Sequence, residues 1–313
     1  MRNKFTEELF KRAEKDKKII LLTGDIGFGV FEDFQKSFPN QFINMGIAEQ
    51  NMISVASGLS KEGFFPIVYT IIPFLLMRPF EQIRVDIAMH KRKVLLVGVG
   101  GGYSYDVLGP THHALEDIAL MKCLPGMKIY TPGSPDQITK IADEIFANDG
   151  PSYLRLGKNG EKNLRKEGVF SQTLGAYKNG GESEIVVLSH GPISSEVEDA
   201  KEAIQLTFDI EITHYSVTRL EPFSPELLTE IADNAKIVFV FEESQKGGSL
   251  YSDIIERFAE MEMKDIDVYH RHPPTDFYTG VNSRTTILER LGLNSTGIYK
   301  LIEEKLQGKY EKK

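Results

Sequence analysis

Along the first half of the chain, short apolar runs alternate with stretches in which apolar residues fall three and four apart. "KKIILLTGD", "FPIVYTIIP", "KVLLVGVGG", "MKIYTPG" and "PSYLRLG" are rich in Ile, Val, Leu and Tyr. Apolar runs of this kind, without polar alternation, predict strands buried on both faces. Between them the spacing predicts helices over residues 6–16, 47–60, 79–89, 114–122 and 135–147. Ser134, Pro135 and Gln137 mark one helix start, with a cap, a proline at the first helical position and a polar side chain three residues after the cap. Residues 163–184 then turn polar and glycine-bearing. The rhythm restarts with "EIVVLSHG", "IEITHYSV", "KIVFVFEE" and "IDVYH", separated by helices expected near 194–206, 225–234 and 249–261. Such a βαβ pattern predicts an α/β protein of two doubly wound domains with mostly parallel sheets, residues 1–175 and 176–313.

Composition narrows the function. A chain of 313 residues suits two domains, and 41% hydrophobic with 26% charged residues is ordinary for a globular protein. The net charge of −8 argues against nucleic acid and against an anionic membrane surface as partners. "FFPIVYTIIPFLLM" is too short to span a bilayer and carries two prolines. "MRNKFTEELFKRAEKDKK" lacks the apolar core of a signal peptide. Cys123 is the one cysteine, so an internal disulfide is excluded and a reducing, cytoplasmic location is expected. Within "ALMKCLPGMKIY" that cysteine is expected to be buried and inert.

Several residues stand out as candidate chemistry. In "FINMGIAEQNMISVASGL", Glu49 enters a helix whose Met52, Ile53, Val55, Ala56 and Leu59 look buried. A buried carboxylate is costly unless it is paired or does work. Glu49 either complements the helix dipole or holds a proton for a ligand. "GVGGGY" follows a strand but fits neither dinucleotide nor P-loop spacing. It is expected to be a loop at a strand's carboxyl end, where glycine lets a ligand approach the backbone. "GPTHH" sets His112 and His113 at an expected helix entrance, with too few ligands for a metal site. Arg155 and Lys158, in "PSYLRLGKN", are cations that either bind phosphate or are solvated, and solvation is the favoured reading. "EESQKGGSL" is read as a strand-to-helix turn.

In this order, "GDIG", "MGIAEQNM", "RPFEQIR", "GPTHHALEDIALMKCLPGMKIYTPGSPDQ", "PSYLRLGK" and "EIVVLSHG…EPFSPE…EESQKGG" form a specific set. Across essentially all of its length the chain resembles the C-terminal half of the transketolase and 1-deoxyxylulose-5-phosphate synthase family. The resemblance implies a pyrimidine-binding domain followed by a transketolase C-terminal domain. The pyrophosphate domain, with its Gly-Asp-Gly metal motif, is absent from the sequence. One chain of a split transketolase is therefore implied, sharing thiamine diphosphate with a pyrophosphate-domain partner in an α2β2 heterotetramer. The partner would hold most of the Mg2+ or Ca2+ site, with no metal ligand from this chain.

The family likeness also assigns roles. Glu49 matches the acid that bonds the aminopyrimidine ring nitrogen N1′ of the cofactor. His112 matches a histidine facing the substrate's oxygens, and Asp25 matches an acid of the cofactor pocket. Arg2, Arg78 and Lys158 fall where relatives place cations for phosphorylated sugar substrates or cofactor. The family pattern puts a stacking ring near Leu75, and Phe74 beside it is expected to take that role. Leu108 stands where an aspartate commonly reads a donor hydroxyl, so an altered substrate range is implied. Alternatives are the β-chain of a 2-oxoacid dehydrogenase, a deoxyxylulose-phosphate-type synthase, or a non-catalytic scaffold. The His112 position favours a transketolase or synthase over the dehydrogenase.

Overall fold

The computed structural model describes residues 1–158, 160–164, 168–263 and 265–310. Its strands are β1 Ile19–Thr23, β2 Phe42–Asn44, β3 Phe65–Ile71, β4 Leu95–Val99, β5 Lys128–Tyr130 and β6 Ser152–Leu156. They continue as β7 Val169–Ser171, β8 Ala176–Asn179, β9 Ile185–Ser189, β10 Thr213–Val217, β11 Arg219–Glu221, β12 Ile237–Phe241 and β13 Asp267–Arg271. One seven-stranded sheet has the order β11-β5-β6-β4-β3-β1-β2, parallel except for β11 at its edge. The six-stranded sheet has the order β13-β12-β9-β10-β8-β7, with β13 to β10 parallel, β8 antiparallel to β10 and β7 antiparallel to β8. The expected α/β architecture of two mostly parallel sheets is thus present.

Every residue of β1, β4, β6, β9, β10 and β12 is buried, which is why those runs lack alternation. Helices cover both faces. Phe5 and Leu9 of helix Arg2–Lys15 and Ile138 and Ile141 of helix Pro135–Ala147 pack on one face of the first sheet. A second apolar cluster runs without a break from Val68 and Leu96 of the first sheet to Leu188 and Val240 of the second. The sheets do not divide at one point in the chain. The expected division after residue 175 falls between β7 and β8, both in the second sheet, whereas β11 returns to the first.

Three local expectations are corrected. The helix expected from residue 114 begins at Asp117. Ala114 instead pairs with Gly102, and its carbonyl also accepts a bond from Arg155, so it is not free to open a helix. His112 and His113 consequently lie in a turn, their backbone N–H groups bonding the Gly109 carbonyl at 3.0 and 3.1 Å. Cys123 is exposed at the end of helix Asp117–Lys122, its thiol donating to Ala119 O, because the helix turns that side chain out of the core. Among the described residues no helix is long and apolar enough to cross a membrane.

Candidate active site

Glu49 opens helix Glu49–Lys61, which has no side-chain cap. Its approach is built by Asn44 at the end of β2. The Asn44 amide oxygen accepts the Gly46 N–H at 2.9 Å and the Asp25 N–H at 3.2 Å, while its Nδ2 donates to Asp25 Oδ1 at 3.0 Å. Asp25 holds a left-handed backbone (φ 54°) and an exposed side chain. The turn that delivers Glu49 is thereby fixed to the end of β1. The carboxylate itself is only 5% exposed. Both its oxygens accept from Arg78 Nη1 at 3.1 Å, yet the Arg78 side chain is 48% exposed. Glu49 is therefore a buried acid whose charged partner is reachable from solvent. Helix-dipole stabilisation and ligand access coexist there.

The Arg78 guanidinium lies over the Phe74 ring, 4.2 Å from its centroid. Phe74 is half-buried in the helical turn after β3, whereas Leu75 is fully buried in the core. The ring available to the site is thus Phe74. Its other neighbour is His112, edge-on at 5.1 Å between centroids. Thr111 Oγ1 and His112 Nδ1 share a 2.9 Å hydrogen bond, and Nε2 makes none to the described residues. Burial, with the nearby His113 and Arg78, holds the His112 imidazolium below the usual histidine range, so the ring is neutral at pH 7. His113 points the other way, with Nε2 bonded to the Asp106 carbonyl at 2.9 Å and its ring against Tyr103.

Tyr105 packs 5.9 Å from His112, and the Lys158 ammonium lies 5.2 Å above the Tyr105 ring. Burial raises the Tyr105 phenol pKa, and the positive charge of Arg2 opposes that rise. Asp25 follows β1, Glu49 follows β2, Phe74 follows β3, His112 follows β4 and Lys158 follows β6. These five residues, with Arg78 held against Glu49 and Phe74, therefore gather along the carboxyl edge of one parallel sheet, where α/β folds bind ligands. The sequence reading passed over Asn44, which has no signal until β1 and β2 pair.

Two readings of local sequence change. The glycines of "GVGGGY" make room for the protein's own side chains, not for a ligand. A Cβ on Gly100 would lie 2.2 Å from the Tyr105 ring, one on Gly101 2.9 Å from the Arg155 guanidinium, and one on Gly102 2.7 Å from Glu243. Arg155 is not solvated but 1% exposed, ion-paired with Asp117 at 2.8 Å. "EESQKGG" is more than a turn, since Glu242 and Glu243 are both buried in hydrogen-bonded pairs.

The fold is an α/β sheet with an acid at a helix start and a histidine loop gathered at its carboxyl edge, the class of protein that takes a ligand there. The chain belongs to the transketolase family, matching its pyrimidine-binding domain over residues 1–162. It is 28% identical to one of the subunits of the apulose-4-phosphate transketolase of Phocaeicola vulgatus, over 83% of each chain. It is 30% identical to the 1-deoxy-D-xylulose-5-phosphate synthase of Thermotoga petrophila over 94% of its own length but 47% of that protein's. Among solved structures, a split-gene transketolase described as an inactive β4 tetramer superposes with a TM-score of 0.83 at 28% identity, covering 97% of this chain and 96% of that one.

Proposed function

We propose that the chain is the small subunit of a two-component transketolase, which transfers a two-carbon ketol unit from a phosphorylated ketose to an aldose. The observation that carries this reading is Glu49, a buried carboxylate at a helix start whose paired cation is half-exposed. Such an acid fits an aminopyrimidine: the carboxyl reaches a ring nitrogen, and the Phe74 ring beside Arg78 offers an aromatic face. When bound, thiamine diphosphate supplies the acidic thiazolium carbon that adds to a ketose carbonyl. Glu49 holds a proton at the N1′ nitrogen, with Arg78 orienting it. His112 Nε2 exchanges protons with substrate hydroxyls. Arg2 and Lys158 face the substrate phosphate. Asp25, through Asn44, fixes the turn before Glu49.

The partner is a pyrophosphate-domain subunit that brings the Mg2+ or Ca2+ site, in an α2β2 assembly in the cytoplasm. The match to a single transketolase subunit over most of its length, and to a split-gene transketolase over nearly all of it, supports a separate partner chain. Leu108 is 49% exposed on the loop before His112. It offers no carboxylate to a donor hydroxyl, so the donor or acceptor is an unusual sugar, such as a deoxy, branched or nucleotide-linked one. Reconstitution tests the reading. Chain and partner together, with cofactor and metal, should catalyse ketol transfer and deuterium exchange at the thiazolium C2, while the chain alone does neither. Steady-state transfer by the chain alone would defeat it.

A further inference from the structure

The second sheet reverses its winding between β9 and β12, since β10 lies on one side of β9 and β12 on the other. Doubly wound sheets take their ligands in the crevice outside the strand carboxyl ends at such a reversal. Here that crevice lies between His190–Gly191, after β9, and Glu242–Glu243, after β12. It is filled from within the chain. Arg155, on β6 of the first sheet, places its guanidinium there with 1% exposure. Nη2 donates to the Glu243 carbonyl at 3.0 Å and to the Ala114 carbonyl at 3.0 Å, and Nε donates to Asp117 Oδ2 at 2.8 Å. A Cβ on Gly191 would stand 3.2 Å from Nη1.

Each end of this contact is itself held. Arg284 grips the Glu243 carboxylate with bonds of 3.0 and 2.8 Å. The Tyr153 hydroxyl donates to Asp117 Oδ2 at 2.6 Å. Ala114 exchanges bonds of 3.0 and 2.9 Å with Gly102, which closes the loop carrying Tyr105 and His112. A continuous chain of contacts thus runs from Arg284 through Glu243 and Arg155 to the His112 loop.

We propose that Arg155 is a positioning residue, a built-in guanidinium that occupies the C-terminal domain's ligand crevice and fixes the 102–114 loop so that His112 faces the site. The proposal rests on the reading of His112 given above. Arg155→Lys keeps a positive charge but offers a single nitrogen, which cannot stand both at the Nε position on Asp117 and at the Nη2 position between the two carbonyls. In the reconstituted enzyme it should lower kcat for ketol transfer by about 10- to 100-fold, the scale of a small misplacement of a reacting group. Exchange at the cofactor C2 should stay within about twofold, because that step belongs to Glu49. In a His112→Ala background the same substitution should cost less than about twofold, since residues acting as a unit are not additive. In the chain alone, amide hydrogen exchange at Gly102 and Ala114 should accelerate while β9 and β12 keep their protection. Where Arg155→Lys does not fold, Arg155→Gln with Asp117→Asn removes both charges and gives the same readouts. An equal loss in both backgrounds, or unchanged exchange at Gly102 and Ala114, overturns the proposal. A wild-type turnover indifferent to His112→Ala defeats instead the reading of the site.

Discussion

The two sheets present the same edge, the carboxyl ends of parallel strands, and use it in opposite ways. On the first, Glu49 is met by one half-exposed guanidinium, His112 keeps Nε2 free of the described residues, and Asp25 is exposed. On the second, Glu242 is saturated. It accepts from His190 Nε2 at 3.2 Å, His270 Nε2 at 2.8 Å, and the Leu250 and Tyr251 N–H groups at 3.2 and 3.3 Å. Burial alone would raise the Glu242 pKa, but the two histidines hold it well below the carboxylate range. Next to it, Ser189, His214 and Glu198 line up as hydroxyl, imidazole and carboxylate, all of them buried. The same groups that would make a nucleophile in an open cleft here tie β9, β10 and a helix together. Access and unmet bonding capacity, more than residue type, separate an acid open to a ligand from a structural one.

Exchanging each acid for its amide breaks the comparison most sharply. Glu49→Gln should reduce C2 exchange in the reconstituted enzyme by about 10²–10⁴-fold, the range for removing a positioned proton carrier, and shift the urea midpoint little. Glu242→Gln should do the reverse. It takes the charged acceptor away from two buried imidazoles and two backbone N–H groups and should cost about 1.5–3 kcal/mol in urea unfolding, the scale of a hydrogen bond to a charged group. A Glu49→Gln protein that exchanges normally would end the distinction.

His112→Ala should lower turnover by about 100-fold while sparing exchange, within the usual range for a proton-transferring side chain. Burial depresses the His112 pKa from 6.5, so its neutral form persists to lower pH. The acid limb of kcat in the wild type should therefore lie below pH 6.5 and vanish in the variant. Leu108→Asp should have the smallest effect. A charge-assisted hydrogen bond contributes about 1.5–3 kcal/mol, so a panel of ketose phosphates should shift by roughly 10- to 100-fold toward donors bearing the matching hydroxyl. An unaltered preference for ordinary xylulose 5-phosphate in both forms would refute the role of Leu108.

Legibility followed range. The buried strands were readable because their apolar runs are local, and helices Pro135–Ala147 and Pro225–Asn234 begin and end where the spacing put them. Even there, Ser134 makes no cap bond, and Gln137 reaches the Gly133 N–H at 2.6 Å instead. Three-residue strands such as β2, β7 and β11 leave no pattern, because their pairing is set by distant partners. Helices Arg284–Leu291 and Ser295–Leu306 carried readable signals in capping Ser283, capping Asn294 and left-handed Gly292, yet the periodicity reading stopped short of them. Glu49 and His112 were visible as anomalies in their own segments. Asn44 was not, and Arg155 stood out only as a cation read as solvated, since each acquires its meaning from residues 19 to 88 positions away.

Strand β11 carries a lesson for anyone recombining such chains. It pairs antiparallel with β5, through Arg219↔Tyr130 and Glu221↔Ile129, and covers what would otherwise be a bare sheet edge. Within it, Arg219 also donates to Glu144 at 2.9 Å, on the helix that follows β5. A chimera joined after residue 175 would take β11 from a different parent and meet β5 with a mismatched seam. Unpaired strand edges invite association with other chains. The segment around Arg219–Glu221 must therefore travel with the first domain, although it is encoded inside the second.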